Sequence, residues 1–363
     1  MTLVLLPAGL LLLTGGAEVL VRGAVGISYR LGLSPLVVGL TVVAFGTSFP
    51  EAAVSVDSAL SGRGSLALGN VVGSNIFNIL VILGASAVVA PLTVQRQLVR
   101  LDLPVLLGSA ALVAILLSDG ALGRVDGVLL FGLAVVYTGL LIRLGGRPNA
   151  SATGDGSHPE PLVSAAPADT QITQPFFYQL LFVAVGVGML LVGARLLVDG
   201  ASAIALQLGA SELVVGLTVV AAGTSLPEVA TSLLAAWRGQ RDIAVGNVVG
   251  SNSFNALFVL GAGGAVAPAP IDVPPGLLTF DVPVMLAVSL ACFPIFFTGW
   301  SISRREGVVF LLYYAAYLAY LVAHVSDHPA QEVIQTGVLV YAVPLTVGTL
   351  ALMVWRQWRT RTT

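Results

Sequence analysis

The stretch 36–91 is written a second time as 213–268, without a gap and at a constant offset of 177 positions, and about 35 of the 56 aligned residues are identical. A chain carrying two such copies is predicted to fold as two copies of one unit. In both copies the same polar signature breaks an apolar run: GTSFPE at 46–51 and GTSLPE at 223–228. A second signature follows each, GNVVGSNIFN at 69–78 and GNVVGSNSFN at 246–255.

The runs around these signatures are too apolar for a soluble domain. Hydrophobic residues make up 56% of the 363 positions, charged residues 9%, and mean hydropathy is +0.96, whereas soluble domains carry about 25% charged residues. The expectation is an all-α integral membrane protein. In that setting Glu51 and Glu228, at matching places in apolar segments, each cost about 2.5–3.5 kcal/mol even on a lenient insertion scale. A bound cation is the simplest compensation. A net charge of −2, with positive residues scattered between spans, excludes nucleic acid as a partner. The lone Cys292 sits in an apolar run and reads as a small buried hydrophobe.

Spans long enough to cross a bilayer fall near 3–29, 34–61, 66–90, 102–118, 125–143, 176–206, 211–237, 243–266, 278–298, 306–323 and 334–355. The first span is read as a retained helix, since it holds Glu18 and Arg22 and is answered later by 176–206. The repeat reaches beyond the opening stretch, with LDLPVLL from Leu101 answered by FDVPVML from Phe280. Each unit is therefore five helices long. An odd count sends the second unit into the membrane from the opposite side, which gives two inverted five-helix repeats plus an additional C-terminal transmembrane helix. With the N-terminus outside, the cytoplasmic loops and tail hold Arg30, Arg96, Arg100, Arg143, Arg147, Arg238, Arg241, Arg304, Arg305, Arg356, Arg359 and Arg361, and the outer loops hold only Arg63 and Arg124. That bias predicts a multi-pass protein of the cell (inner) membrane with its C-terminus in the cytoplasm. The predicted organisation is a first repeat at 1–143, a flexible cytoplasmic linker at 144–175, a second repeat at 176–323, and an extra helix with a basic tail at 324–363. The extra helix reads as a peripheral anchor or an oligomer contact.

Within GTSxPE, Pro50 and Pro227 have no N–H, so the carbonyls of Gly46 and Gly223 lose their helical partner. Such carbonyls are tolerated in a membrane only where protein or an aqueous site satisfies them. Thr47, Ser48 and Glu51 place two hydroxyls and a carboxylate on neighbouring parts of one turn, and Thr224, Ser225 and Glu228 do the same in the second copy. On the following helices Ser74 and Asn78, and Ser251 and Asn255, are four residues apart and share a face. Taken one at a time, hydroxyl and amide residues in membrane helices often only bridge neighbours; the paired glutamates are what turn this set into a site. Its donors are all hard oxygens, which suit Ca²⁺ or Na⁺. By contrast Glu18, Arg22, Asp57, Arg195 and Asp199 keep no identity between the copies and read as ion pairs or interfacial residues. Asp102 and Asp281, each two residues before a proline, read as helix N-caps.

GTSxPE followed at this spacing by GNxxGSNxFN, duplicated in inverted five-helix repeats, resembles the prokaryotic sodium/calcium exchanger branch of the calcium/cation antiporter superfamily. The resemblance covers the first ten spans. It implies a secondary antiporter that exchanges Na⁺ for Ca²⁺ by alternating access, electrogenically and in the direction of calcium extrusion, with no cofactor beyond the transported ions. It places ion coordination on the carbonyls of Ala44 and Ala221 and on Thr47, Ser48, Glu51, Ser74, Asn78, Thr224, Ser225, Glu228, Ser251 and Asn255. Asn255 stands where some members have aspartate, which removes the ground for expecting a potassium partner. A proton-coupled calcium/cation exchanger is the alternative, although that branch resembles GNxxE in place of GTSxPE; a cation channel would need a continuous pore. An enzyme is excluded, because His158, His324 and His328 lie in the linker or beyond the tenth span, away from both signatures.

Overall fold

The computed structural model describes residues 2–144, 175–207 and 221–325, with isolated positions between 336 and 351. The described chain is almost entirely helical: α1 (Thr2–Leu31), a broken α2, α3 (Gly64–Val89), α4 (Leu98–Leu116), α5 (Arg124–Leu144), α6 (Phe176–Gln207), α7 (Leu226–Trp237), α8 (Arg241–Val266), α9 (Leu277–Phe297) and α10 (Arg304–Val325). Among the described residues eight helices are long and apolar enough to cross a membrane, and α2 raises the number to nine. The seventh expected span is described only from Ala221, and the eleventh lies outside the described residues apart from isolated positions.

The breaks fall where the prolines put them. α2a (Pro35–Thr47) meets α2b (Phe49–Leu60) at an angle of 47°. The hinge is Ser48, at φ −82° and ψ 8°, two residues before Pro50. In the second copy the short helix Ala221–Gly223 is followed by Ser225 at φ −89° and ψ 5°, and α7 begins at Leu226, just before Pro227. Glu51 and Glu228 thus sit in the first turns of new helices, where the partial positive charge of free N–H groups favours a carboxylate.

The inverted symmetry is written in the contacts. Gly9, Gly16 and Gly23 of α1 recur as Gly186, Gly193 and Gly200 of α6. A Cβ on Gly9 would lie 2.8 Å from the Gly193 carbonyl, and one on Gly16 would lie 2.9 Å from the Gly186 carbonyl. Each contact becomes the other when the repeats are exchanged, and the pairing makes α1 and α6 antiparallel. Glycine allows this backbone contact, the usual basis of tight association in lipid. The loops obey the same operator: β1 (Leu92–Thr93) pairs with β4 (Ser301–Ile302) and β2 (Ala121–Leu122) with β3 (Ile271–Asp272), both antiparallel. At the centre stand α3 and α8, which are largely buried, whereas α5 and α10 lie mostly exposed on the periphery. α2a rests directly on α8, where a Cβ on Gly246 would lie 2.8 Å from the Leu36 carbonyl and one on Gly250 would lie 2.6 Å from the Leu40 carbonyl.

The symmetry is broken at α1. This helix lies along α7, and Glu18 bonds both Arg22, at 2.6 Å, and Arg238 just past α7, at 3.0 Å. Among the described residues α6 has no comparable packing against α2b. Glu18 and Arg22 are therefore ion-paired, as the sequence predicts, and Asp57 pairs with Arg63 at 3.6 Å.

The N-cap reading of Asp102 and Asp281 is overturned. Both residues have helical backbone angles and make no capping bond, because π-helical turns at Leu98–Asp102 and Leu277–Asp281 carry the helix through them. Their carboxylates instead accept hydrogen bonds from Tyr137 at 3.1 Å and Tyr317 at 2.7 Å, tying α4 to α5 and α9 to α10.

Single cysteines at the exposed positions Ser61 and Arg305, in a Cys292→Ala background, are expected to react with an impermeant maleimide from opposite faces, Ser61 from outside. Labelling of both from one side contradicts the inverted arrangement.

Candidate cation-binding site

The two signatures converge at the centre of the helical core. Thr47, Ser48, Glu51, Ser74, Asn78, Ser225, Glu228, Ser251 and Asn255 are buried, as is Ala44; Thr224 is half-buried, and Ala221 opens the short helix before the second break. The carboxylates are bracketed across the repeats. Ser48 Oγ donates to Glu228 Oε1 at 2.9 Å, and Ser225 Oγ donates to Glu51 Oε1 at 2.9 Å. These two bonds are images of each other, and Ser225 Oγ also lies 3.3 Å from Ser74 Oγ.

Each glutamate therefore has one oxygen held and one free: Glu51 Oε2 and Glu228 Oε2 are buried with no hydrogen-bond partner. The amides add to this set. Asn252 donates its NH₂ to the Asn75 carbonyl at 3.3 Å, so its Oδ1 must be the acceptor for the Asn78 NH₂ at 3.0 Å. Asn78 Oδ1 is consequently turned away from that bond and unpaired, as are Asn255 Oδ1 and Ser251 Oγ. Asn75 returns the bond by donating to the Asn252 carbonyl at 3.3 Å, which joins α3 to α8 across the axis. π-helical turns begin at Asn78 and Asn255 in the two copies, a local widening often found at functional sites.

Buried polar atoms normally find partners, and in a membrane interior an orphaned carboxylate oxygen is costlier still. Five oxygens from α2b, α3, α7 and α8 share this state, and all are of the hard kind that suits Ca²⁺ or Na⁺. The donor set fits such an ion: among the described residues no three His, Cys, Asp or Glu side chains gather in one place, as a softer metal would require.

The structure buries most of the predicted side chains in the core and links Ser48 with Glu228, Ser74 and Ser225 with Glu51, and Asn78 with Asn252, while Ser251 and Asn255 make no side-chain hydrogen bond. It also recruits residues the motif reading passed over. Thr47 Oγ donates to Asn247 Oδ1 at 3.1 Å, and Thr224 Oγ to Asn70 Oδ1 at 3.4 Å; Asn247 and Asn70 in turn donate to Ser232 Oγ at 2.9 Å and Ser55 Oγ at 3.1 Å. Asn70, Asn75, Ser55 and their partners are all identical between the copies, which was the signal available to find them.

Two broken helices whose half-helix ends meet around paired carboxylates at an inverted-repeat axis define a secondary cation antiporter. Similarity to known proteins sharpens that class. The chain belongs to the sodium/calcium exchanger protein family, whose model matches residues 1–143 and 178–323. It is 31% identical over 342 residues to the sodium/calcium exchanger MaX1 of Methanosarcina acetivorans, covering 87% of this chain and 97% of the relative. It is 38% identical over 286 residues to the inner membrane protein YrbG of Escherichia coli K12, covering 79% and 86%. The fold superposes on the sodium-calcium exchanger NCX_Mj with a TM-score of 0.74 at 31% identity, covering 88% of this chain and 98% of that one. The protein is thus a multi-pass calcium/cation antiporter and not an enzyme, and its ions are cargo.

Glu51→Gln and Glu228→Gln are each expected to weaken Ca²⁺ binding at least about a hundredfold, the range for removing one member of a buried charge set, and to stop Ca²⁺ flux while the protein still inserts and elutes as a folded species. Near-normal flux from either variant contradicts the assignment.

Proposed function

We propose that the chain exchanges Na⁺ for Ca²⁺ through one shared site formed by Thr47, Ser48, Glu51, Ser74, Asn78, Thr224, Ser225, Glu228, Ser251, Asn255 and the carbonyls of Ala44 and Ala221. The observation that carries this reading is the reciprocal bracket, Ser48 on Glu228 and Ser225 on Glu51, which leaves one oxygen of each carboxylate buried and unpaired. A charge of −2 is balanced by one Ca²⁺ or by two or more Na⁺, so the ions compete for the same carboxylates. With neither ion bound, two anions face each other in low dielectric, and the protein resists reorientation. That resistance is what couples the two fluxes.

The gate in this mechanism is the α1–α6 pair. Its glycine seam makes the two helices one body, and its one-sided packing on α7 is a difference that two access states would exchange. Sodium as the coupling ion is supported by the oxygen-only donor set, by the names of MaX1 and NCX_Mj, and by neutral amides at Asn78 and Asn255, which offer no further titratable group. The arginine bias and the inner-membrane relative support a cell-membrane location, N-terminus outside and C-terminus cytoplasmic. The organisation that goes with it is repeats at 1–143 and 176–323, a cytoplasmic linker at 144–175 and a further transmembrane helix within 324–363.

When the sodium charge moved exceeds the calcium charge, each net elementary charge contributes about 2.3 kcal/mol per 100 mV. In Na⁺-loaded proteoliposomes an inside-positive potential is then expected to accelerate Ca²⁺ uptake. Uptake indifferent to voltage, or sustained by a pH gradient without Na⁺, favours the proton-coupled reading.

A further inference from the structure

Thr47 has one hydroxyl proton and hydrogen-bonds two acceptors, the Ala44 carbonyl of its own turn at 3.4 Å and Asn247 Oδ1 on α8 in the other repeat at 3.1 Å, with the Glu228 carboxylate also nearby. Where the proton goes decides what is left for a cation. If Thr47 donated to Ala44, that carbonyl would lose part of its capacity. If it donates to Asn247, the Ala44 carbonyl keeps only its bond from the Ser48 N–H, at 3.0 Å, and its second lone pair and those of Thr47 remain available. The amide orientation makes Asn247 the nearer hydrogen-bonded acceptor, and the first copy shows how that orientation is fixed. Asn70 directs its NH₂ at the Glu51 carbonyl, at 3.4 Å, and at Ser55 Oγ, at 3.1 Å. A carbonyl only accepts, so the NH₂ must lie on that side and Oδ1 must face Thr224, at 3.4 Å. Asn247 has its NH₂ on Ser232 Oγ at 2.9 Å and its Oδ1 on Thr47, and the 177-residue exchange gives it the orientation that the Glu51 carbonyl fixes for Asn70.

We propose that Asn247 and Asn70 are positioning residues for the cation site, each withdrawing the hydroxyl proton of a threonine in the opposite repeat so that the threonine oxygen and the carbonyl behind it face the ion as acceptors. The chains Ser232–Asn247–Thr47 and Ser55–Asn70–Thr224 are images of each other under the 177-residue exchange. They cross between the repeats, so each kinked helix has its ligands set by the helix that follows the other kink. They are not equal: Asn247 and Thr47 are fully buried, whereas Asn70 and Thr224 are half-buried and their bond is longer. The Asn247 relay carries the larger effect.

This inference rests on the shared-site reading, and the test separates the two. Ca²⁺ binding to the purified full-length protein is measured for Thr47→Ala, Asn247→Ala and the double variant, with Glu51→Gln as the control. Asn247→Ala is expected to weaken binding about tenfold, the scale of one buried hydrogen bond. The double variant should bind within about twofold of Thr47→Ala, because Asn247 acts only through Thr47. A residue that merely packs would give an additive loss. Additivity, or wild-type binding by folded Asn247→Ala, overturns the relay while loss of binding in Glu51→Gln leaves the site standing; wild-type binding by Glu51→Gln overturns the site itself. Should Asn247→Ala fail to fold, the same cycle on the half-buried pair Asn70 and Thr224 decides, with the same two outcomes at smaller amplitude.

Discussion

The structure depends on the reciprocal bond between each repeat's hinge serine and the other repeat's glutamate, Ser48 on Glu228 and Ser225 on Glu51. A carboxylate in a membrane interior is costly, and two of them are costlier still. Folding tolerates them because each is placed in the first turn of a half-helix and held by a hydroxyl from across the axis. Neither repeat can complete this arrangement alone, since the hinge of one supplies the bond for the carboxylate of the other. The glycine seam between α1 and α6, the backbone contact of α2a with α8, and the Asn75–Asn252 exchange between α3 and α8 all serve to bring the two hinges to one place.

The bonds hold only part of what they gather. Glu51, Glu228, Asn78, Asn255 and Ser251 each keep an oxygen without a partner in the buried core. A site optimised for stability would pair these atoms with each other. Leaving them unpaired provides a set of hard oxygen donors in place of internal bonds. Near-symmetry in the core, with the largest asymmetry at α1, Glu18 and Arg238, fits a protein whose binding centre stays in place while one helical pair takes different positions against it.

Much of this was legible in the sequence. The duplication predicted the inverted repeat, and Pro50 and Pro227 pointed to unpartnered carbonyls at Gly46 and Gly223, beside which the helices break. The pairing of Glu51 with Glu228 pointed to a shared site, because two matched acids in apolar segments need a common partner to offset their burial. Asn70 and Asn247 escaped because their role is defined by a partner in the other repeat, some 150 to 200 residues away, and spacing along one helix carries no trace of it. Asp102 and Asp281 were misread for a related reason: an aspartate two residues before a proline looks like a cap until a tyrosine from the next helix claims its carboxylate. Periodicity also does not announce a π-helical turn, which is how the chain passes through both aspartates.

The central claim is that Na⁺ and Ca²⁺ compete for one pair of carboxylates. Equilibrium Ca²⁺ binding to the purified wild-type protein, titrated with Na⁺ at constant ionic strength against K⁺, tests it most directly. The shared site predicts that Na⁺ displaces Ca²⁺ completely and that the logarithm of the apparent Kd rises with the logarithm of Na⁺ concentration with a slope above one, while K⁺ has no effect. Ca²⁺ affinity indifferent to Na⁺, or displacement that saturates with both ions bound, would contradict it.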